Sequence, residues 1–271
     1  MALGFILFRI VRIPKLRVRL WKLVYEIFPK LLPDANWWFM NYGYEPSAAE
    51  RKEFGNLDES QFQWRSRAMY HYLAARSSPA GKDLLEVGSG RGGGLRHLAT
   101  TMAPKSSTGL DFARSAIDFC HRSHNGIPVN YLEGDSMNMP FVDLSFDLVL
   151  NVESCHAYLN QAKFIAEVRR VLRPGGRLYL VDVRSLENWD CLRQWILDAG
   201  FAIEEDADVT ANVIAALELD EPEKQQIIKK RVPFWLRAVF MEFAGSIGSQ
   251  LHTRLKNGEI QYRRMVAVKA V

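Results

Sequence analysis

The middle of the chain alternates short apolar runs with amphipathic stretches in a regular order. Lys82–Val87, Ser107–Asp111, Val129–Glu133, Phe146–Asn151, Arg177–Asp182 and Ala202–Asp206 are apolar runs of strand length. Between them, Gly92–Thr101, Ala113–Ser123, Gln161–Val171 and Trp189–Ala199 read as helices with one apolar face. Strands that alternate with helices need crossover connections. The pattern therefore predicts a mostly parallel sheet with helices on both faces. Residues 208–258 turn helical, broken at Pro222 and Pro233, and Ile260–Lys269 closes the chain as a last strand. A strand that follows a helical insertion suits an antiparallel addition beside the sixth. The expected class is α/β, with seven strands of which the last is antiparallel.

Ahead of this alternation, residues 1–78 read as helical and are punctuated by Pro29, Pro33 and Pro46. They hold a basic amphipathic stretch, the aromatic segment Asn36–Tyr44 (NWWFMNYGY) and a helix across Gln61–Ala75. The expected division is an N-terminal helical lid, 1–78, and a main domain, 79–271. Within the latter, a helical insertion at about 208–258 would cap the carboxyl edge of the sheet.

Composition narrows the partners. The chain has 271 residues, 48% hydrophobic and 24% charged, enough for one α/β domain with added helices. The net charge of +4 is unevenly spread. Arg9, Arg12, Lys15, Arg17, Arg19, Lys22 and Lys30 crowd the first thirty residues against the single acid Glu26. That stretch reads either as a solvated helix face or as a peripheral contact with a membrane surface or an anionic substrate. There is no nucleic-acid motif and no basic-aromatic repeat, so no nucleic-acid partner is expected. Cys120, Cys155 and Cys191 are scattered without pairing or metal spacing, which suits a reducing compartment. The opening MALGFILF is too short for a bilayer span and lacks a signal peptide's basic start. A cytoplasmic protein is expected, with membrane association through residues 1–30 as the added expectation and oligomerisation left open. The histidines are dispersed and no metal site is expected.

The chemistry concentrates at Leu84-Leu85-Glu86-Val87-Gly88-Ser89-Gly90-Arg91-Gly92-Gly93-Gly94, a strand running into a glycine-rich turn and a helix. Glycines let the backbone approach a ligand closely, and the helix amino end offers free N–H groups. Dinucleotide enzymes share this turn, so alone it decides little. Asp111, followed by Phe112, ends the second strand, where a carboxylate can accept both hydroxyls of a ribose. Glu133-Gly134-Asp135-Ser136-Met137 follows the third strand, where an acid can accept from an adenine amino group. Leu172-Arg173-Pro174-Gly175-Gly176 precedes the fifth.

This set, in this order, resembles the class I S-adenosylmethionine-dependent methyltransferases over roughly residues 80–206. The resemblance implies a Rossmann-like sheet and S-adenosyl-L-methionine as cofactor, with S-adenosyl-L-homocysteine as product. It implies Glu86, Gly88, Ser89 and Gly90 around the methionine part, Asp111 and Phe112 at the ribose, Asp135, Ser136 and Met137 at the adenine, and Asn151 nearby. Three further segments, Phe39–Tyr44, Asn151–Tyr158 and Gly248–Leu251 with Gly258–Arg263, resemble the phthiotriol/phenolphthiotriol dimycocerosate methyltransferases and related fatty-acid O-methyltransferases. Those enzymes methylate a hydroxyl or carboxylate on a long apolar molecule.

The expected activity is methyl transfer to a small lipophilic metabolite, most readily at a hydroxyl or carboxyl oxygen. Carbon or nitrogen methylation in terpenoid or specialised metabolism stays open, as do a non-catalytic cofactor-binding module and an NAD-dependent oxidoreductase. His156, just beyond the fourth strand, is the first candidate base, with a side chain that titrates near neutrality. Glu153 is the second, either orienting His156 or touching the cofactor. Tyr42, Tyr44, Tyr158, Trp235 and Tyr262 are the expected substrate contacts.

Overall fold

A computed structural model describes residues 38–55, 57–74 and 78–270 of the chain. The expectations placed on residues 1–30, and on Asn36 and Trp37 at the start of the aromatic segment, lie outside the described residues. The sheet consists of β1 (Asp83–Val87), β2 (Ser106–Asp111), β3 (Asn130–Glu133), β4 (Phe146–Val152), β5 (Leu172–Arg184), β6 (Phe201–Asp208) and β7 (Gln261–Lys269). Their order is β3-β2-β1-β4-β5-β7-β6. The first five strands pair in parallel, and β7 runs antiparallel between β5 and β6. The expected α/β class, strand count and antiparallel last strand are all present. The fifth strand starts earlier than its apolar run: Leu172 already pairs with Phe146, and the register then shifts before Leu148 meets Arg177.

The helices between the strands are α3 (Gly93–Thr101), α4 (Arg114–Ser123), α5 (Gln161–Val171) and α6 (Leu186–Asp198). Ahead of the sheet stand α1 (Ala48–Glu53) and α2 (Trp64–Ala74). Before β7 come α7 (Thr210–Leu219), α8 (Glu221–Arg231), α9 (Arg237–Phe243) and α10 (Gln250–Lys256). Local chemistry fixes several starts. Ser47 and Glu50 form a reciprocal capping pair at α1, and the side chains of Asn160, Ser185 and Ser249 accept the first free amides of α5, α6 and α10.

All five residues of β1 are buried, as expected of a parallel strand covered on both faces. Alternate residues feed two cores. Leu84, Leu148, Leu150, Tyr179 and Val181 face one, with Met69 and Leu73 of α2, Leu95 and Leu98 of α3, and Val213 and Leu217 of α7. Leu85, Val149, Leu178 and Leu180 face the other, with Phe164 and Val168 of α5 and Trp189 and Leu192 of α6. Phe39, Tyr44 and Phe54 lie in the first core, so the described part of the N-terminal region shares its interior with the sheet.

This topology fixes where a ligand goes. The chain moves outward from β1 through β2 to β3, then returns to β4 on the other side of β1. The loops leaving β1 and β4 therefore diverge, opening a crevice at their carboxyl ends. Among the described residues, no helix is long and apolar enough to cross a membrane.

Candidate active site

The crevice begins with the turn after β1. Gly88 and Gly90 take φ of +76° and +52°. A Cβ at Gly88 would lie 2.3 Å from Ser154 Oγ, so glycine is required there by both conformation and space. The Gly88 and Ser89 N–H groups donate to the Leu110 carbonyl at 2.8 and 3.1 Å. Asp111 ties this turn to its own loop, its two oxygens accepting the Gly90 N–H at 2.8 Å and the Ala113 N–H at 2.9 Å. Burial pushes the Asp111 carboxyl above its ordinary range, against the opposing pull of these amides.

A cavity of about 300 Å³ fills the crevice. Of the expected cofactor residues, Gly88, Ser89, Gly90, Asp111, Phe112, Asp135, Ser136 and Met137 line it. Three loops thus converge as a nucleoside requires. One presents backbone, one a carboxylate beside an exposed aromatic ring, and one the Asp135 carboxylate, which also accepts the Met137 N–H at 2.8 Å. The Ser89 Oγ is buried against Gly109 of β2, so this turn meets the cavity chiefly through its backbone. The two carboxylates, Asp111 and Asp135, are acceptors that fit the ribose hydroxyls and amino group of an adenosyl moiety.

Glu86 and Asn151 do not line this cavity; they brace it. The Tyr70 hydroxyl, on the wall, donates to Glu86 Oε1 at 2.7 Å. Burial raises the Glu86 carboxyl to about 8 despite that bond. Gly94 makes the approach feasible, since a Cβ there would lie 1.8 Å from the Tyr70 ring. Gly94→Ala is expected to displace Tyr70 from Glu86 and to destabilise the fold by about 1–3 kcal/mol. Thermal unfolding checks this, and an unchanged midpoint would show that the helix shifts without strain. Asn151, fully buried, sets its Nδ2 within 2.9, 2.8 and 3.1 Å of the Val87 carbonyl, Ser154 Oγ and Tyr158 Oη, two of which its two N–H groups can serve at once. It locks the β4 loop onto β1.

That loop carries the candidate bases. Glu153 has a φ of +49°, an uncommon conformation for a side-chain-bearing residue. It lines the cavity, and Oε1 accepts both the Tyr262 hydroxyl and, at 2.8 Å, the Tyr42 N–H. Neither bond uses Oε2. Burial drives the carboxyl up to about 8, although both hydrogen bonds oppose the rise. His156 lies elsewhere. The wall runs through Glu153, Ser154, Ala157 and Tyr158 without it. The His156 Nδ1 and backbone N–H instead meet the two oxygens of Asp182 at 2.6 and 3.0 Å. Arg184 holds the same carboxylate at 2.8 Å. Burial alone would lower the imidazole's affinity for a proton, but the Asp182 charge outweighs it and the net shift is upward. Asp182 itself is held near 2 by His156 and Arg184, against its burial.

A second, smaller cavity of about 110 Å³ lies beyond Phe39, Met40 and Asn41, which line both. Its walls include Tyr42, Phe62, Leu217, Ile228, Phe240 and Phe243, with Lys224 among them. Of the five expected substrate contacts, Tyr158 lines the first cavity and Tyr42 the second. The other three require correction. Tyr44 is buried against Tyr72, its ring stacked at 4.2 Å and its hydroxyl on Glu50 at 2.6 Å. Tyr262 is fully buried and reaches the site only through Glu153. Trp235 is 65% exposed and lines neither cavity. Sequence reasoning missed Tyr70, Asn41 and Asp182. Asp182 carries a signal, a carboxylate ending a strand beside the crevice, but Tyr70 and Asn41 arrive from segments outside the repeating pattern.

Comparison with known proteins agrees with this geometry. Residues 85–180 match the family model described as a methyltransferase domain. The chain is 35% identical to phthiotriol/phenolphthiotriol dimycocerosates methyltransferase 1 of Mycobacterium ulcerans, over 90% of this chain and 88% of that one. It is 33% identical to the fatty-acid O-methyltransferase of Mycolicibacterium smegmatis, over 92% and 89% of the two chains. A putative sarcosine dimethylglycine methyltransferase from Galdieria sulphuraria shares the fold with a TM-score of 0.72 at 14% identity, covering 91% of this chain and 98% of that one. The protein is an S-adenosylmethionine-dependent methyltransferase with the Rossmann-like fold of that class. Within the class it belongs to the family of the phthiotriol/phenolphthiotriol dimycocerosates and fatty-acid O-methyltransferases.

Proposed function

We propose that the enzyme methylates an oxygen, hydroxyl or carboxyl, of a small lipophilic acceptor. One observation carries the reading: Glu153, an ionisable carboxyl in the wall of the first cavity, is held by the backbone of Tyr42, which lines the adjoining apolar one. The names of the two curated relatives, one for a dimycocerosate and one for a fatty acid, support an apolar acceptor.

In this reading the second cavity takes the apolar body of the acceptor, and the reacting oxygen points toward Glu153. Bound S-adenosylmethionine supplies a methyl group on a sulfonium, which leaves as a neutral thioether. Asp111 and Asp135 would hold the nucleoside and the Gly88–Gly90 turn the amino-acid part, so the entropy of bringing the partners together is lost on binding and not in the transition state. For a hydroxyl acceptor, the Glu153 carboxylate takes the O–H proton as the oxygen lone pair forms the new bond. A carboxylate acceptor carries no such proton and needs no base. His156 serves chiefly through its two bonds to Asp182, which pin the turn bearing Ser154, Ala157 and Tyr158. Phe39 and Met40 cover the seam and keep water from it.

The test is a panel of lipophilic hydroxyl, carboxyl, amine and alkene acceptors assayed with radiolabelled cofactor. Label is expected in base-stable ethers or base-labile esters of the apolar oxygen acceptors. Label on carbon or nitrogen, with none on oxygen, would overturn the proposal.

A further inference from the structure

We propose that the turn between α8 and α9 is a membrane-docking tip that seats in the interfacial layer of an anionic lipid bilayer. Phe234 is 80% exposed and Trp235 65%, side by side in a single tight helical turn, with Val239 exposed beyond them. The two rings are not there to complete a core. Ile228, Val232 and Phe240 form a separate small core beneath the turn, with Leu236 and Met241 against it. The turn is also rigidly held: the Arg237 guanidinium donates to the Val232 and Lys229 carbonyls at 3.0 and 2.7 Å, closing the end of α8. Large aromatic side chains presented outward on a braced turn are what an interfacial anchor needs, since little ordering remains to be done on contact.

The charge around the rings identifies the partner. Lys229, Lys230 and Arg231 precede the rings in the chain and are exposed, and Arg237, half-buried, follows them. No acidic residue occurs between Glu223 and Glu242. Cationic side chains flanking exposed Trp and Phe match a surface that is anionic outside and apolar within, the headgroup layer of a negatively charged bilayer. A second copy of this chain is a poorer partner. A two-fold contact through the tip would set the two basic clusters against each other.

The position also has a use. The two helices that the turn joins contribute Ile227, Ile228, Phe240 and Phe243 to the wall of the second cavity. A docked tip would hold that wall at the lipid surface, from which an apolar acceptor could enter without crossing water. This last link rests on the acceptor reading above; the docking itself does not.

The experiment is co-sedimentation of the full chain with phosphatidylcholine vesicles, with and without phosphatidylglycerol. Binding is expected to the anionic vesicles and to weaken with salt. Phe234→Ala/Trp235→Ala should lower the partition coefficient by about tenfold, and Lys229→Ala/Lys230→Ala should weaken it and flatten the salt dependence. Affinity for S-adenosylhomocysteine should be unchanged in both, which verifies folding. Three outcomes would overturn the proposal. The chain could ignore anionic vesicles. The aromatic double variant could bind like the parent, placing the contact elsewhere, residues 1–30 included. Or the double variant could turn a dimer into a monomer on size exclusion, making the tip a self-association surface. Methyl transfer to a detergent-dispersed acceptor reads the oxygen-methylation proposal separately.

Discussion

Asp111→Ala is expected to raise the dissociation constant for S-adenosylhomocysteine by about two orders of magnitude, or roughly 3 kcal/mol. Two losses add. The carboxylate accepts the Gly90 and Ala113 N–H groups, and its removal leaves both amides without that acceptor inside the crevice. The β1 turn then loses the bond that sets Gly90 in its left-handed conformation. The acceptor proposed for the ribose hydroxyls goes as well, and hydrogen bonds to a charged group are worth about 1.5–3 kcal/mol each. Asp111→Asn keeps one carbonyl oxygen and should fall between. Titration calorimetry separates the cases. If the alanine variant binds within about threefold of the parent, ribose recognition lies elsewhere and the assignment of Asp111 fails.

The cofactor half of the site was legible because it follows the sheet's own repeat. The first three strands end where their apolar runs end, so Gly88, Asp111 and Asp135 could be placed at one edge from periodicity and spacing. Their neighbours on the cavity wall came with them. The other half was not legible, for a physical reason. Tyr70 reaches Glu86 only because Gly94 has no side chain, and a contact between residues that far apart leaves no local pattern. Glu153 and His156 are three residues apart in a loop where a positive φ at Glu153 changes the direction of the chain. Which of the two faces the cavity is set by that one dihedral and by Asp182, and neither can be read from residue type. Trp235 shows the complementary error. An aromatic in a helical insertion was expected to wall a pocket, whereas it stands exposed on a short turn that follows Pro233.

Glu153→Gln is expected to lower kcat on a hydroxyl acceptor by about 10²–10⁴-fold, the usual contribution of a general base, with little change in cofactor affinity. The amide keeps the shape and can still accept the Tyr42 N–H and the Tyr262 hydroxyl, so the fold should persist. What it cannot do is take a proton. On a carboxylate acceptor the same variant should retain most of its rate, because there is no proton to remove. The pH dependence follows from burial. A carboxyl raised to about 8 is mostly protonated at neutral pH, so kcat/KM for the hydroxyl acceptor should climb as pH rises and level off above about 8. That limb should vanish in the glutamine variant. A cation bound in the cavity favours the carboxylate, so the limb in kcat should lie at lower pH than the limb in kcat/KM. Stability runs the other way. The folded state holds this proton above the pH at which an unfolded glutamate has lost it, so stability falls between about 4.5 and 8 as the carboxyl is forced to ionise. Glu153→Gln should flatten that decline, which denaturant titrations at several pH values would measure. His156→Ala provides the contrast. Without the imidazole the turn keeps its backbone bond to Asp182 but loses the side-chain one. The stretch carrying Ser154 and Tyr158 then loosens, which should raise KM more than it lowers kcat and leave the pH limb in place. If His156→Ala instead removes the limb and Glu153→Gln keeps it, the proton goes to the imidazole and the assignment of the base is reversed.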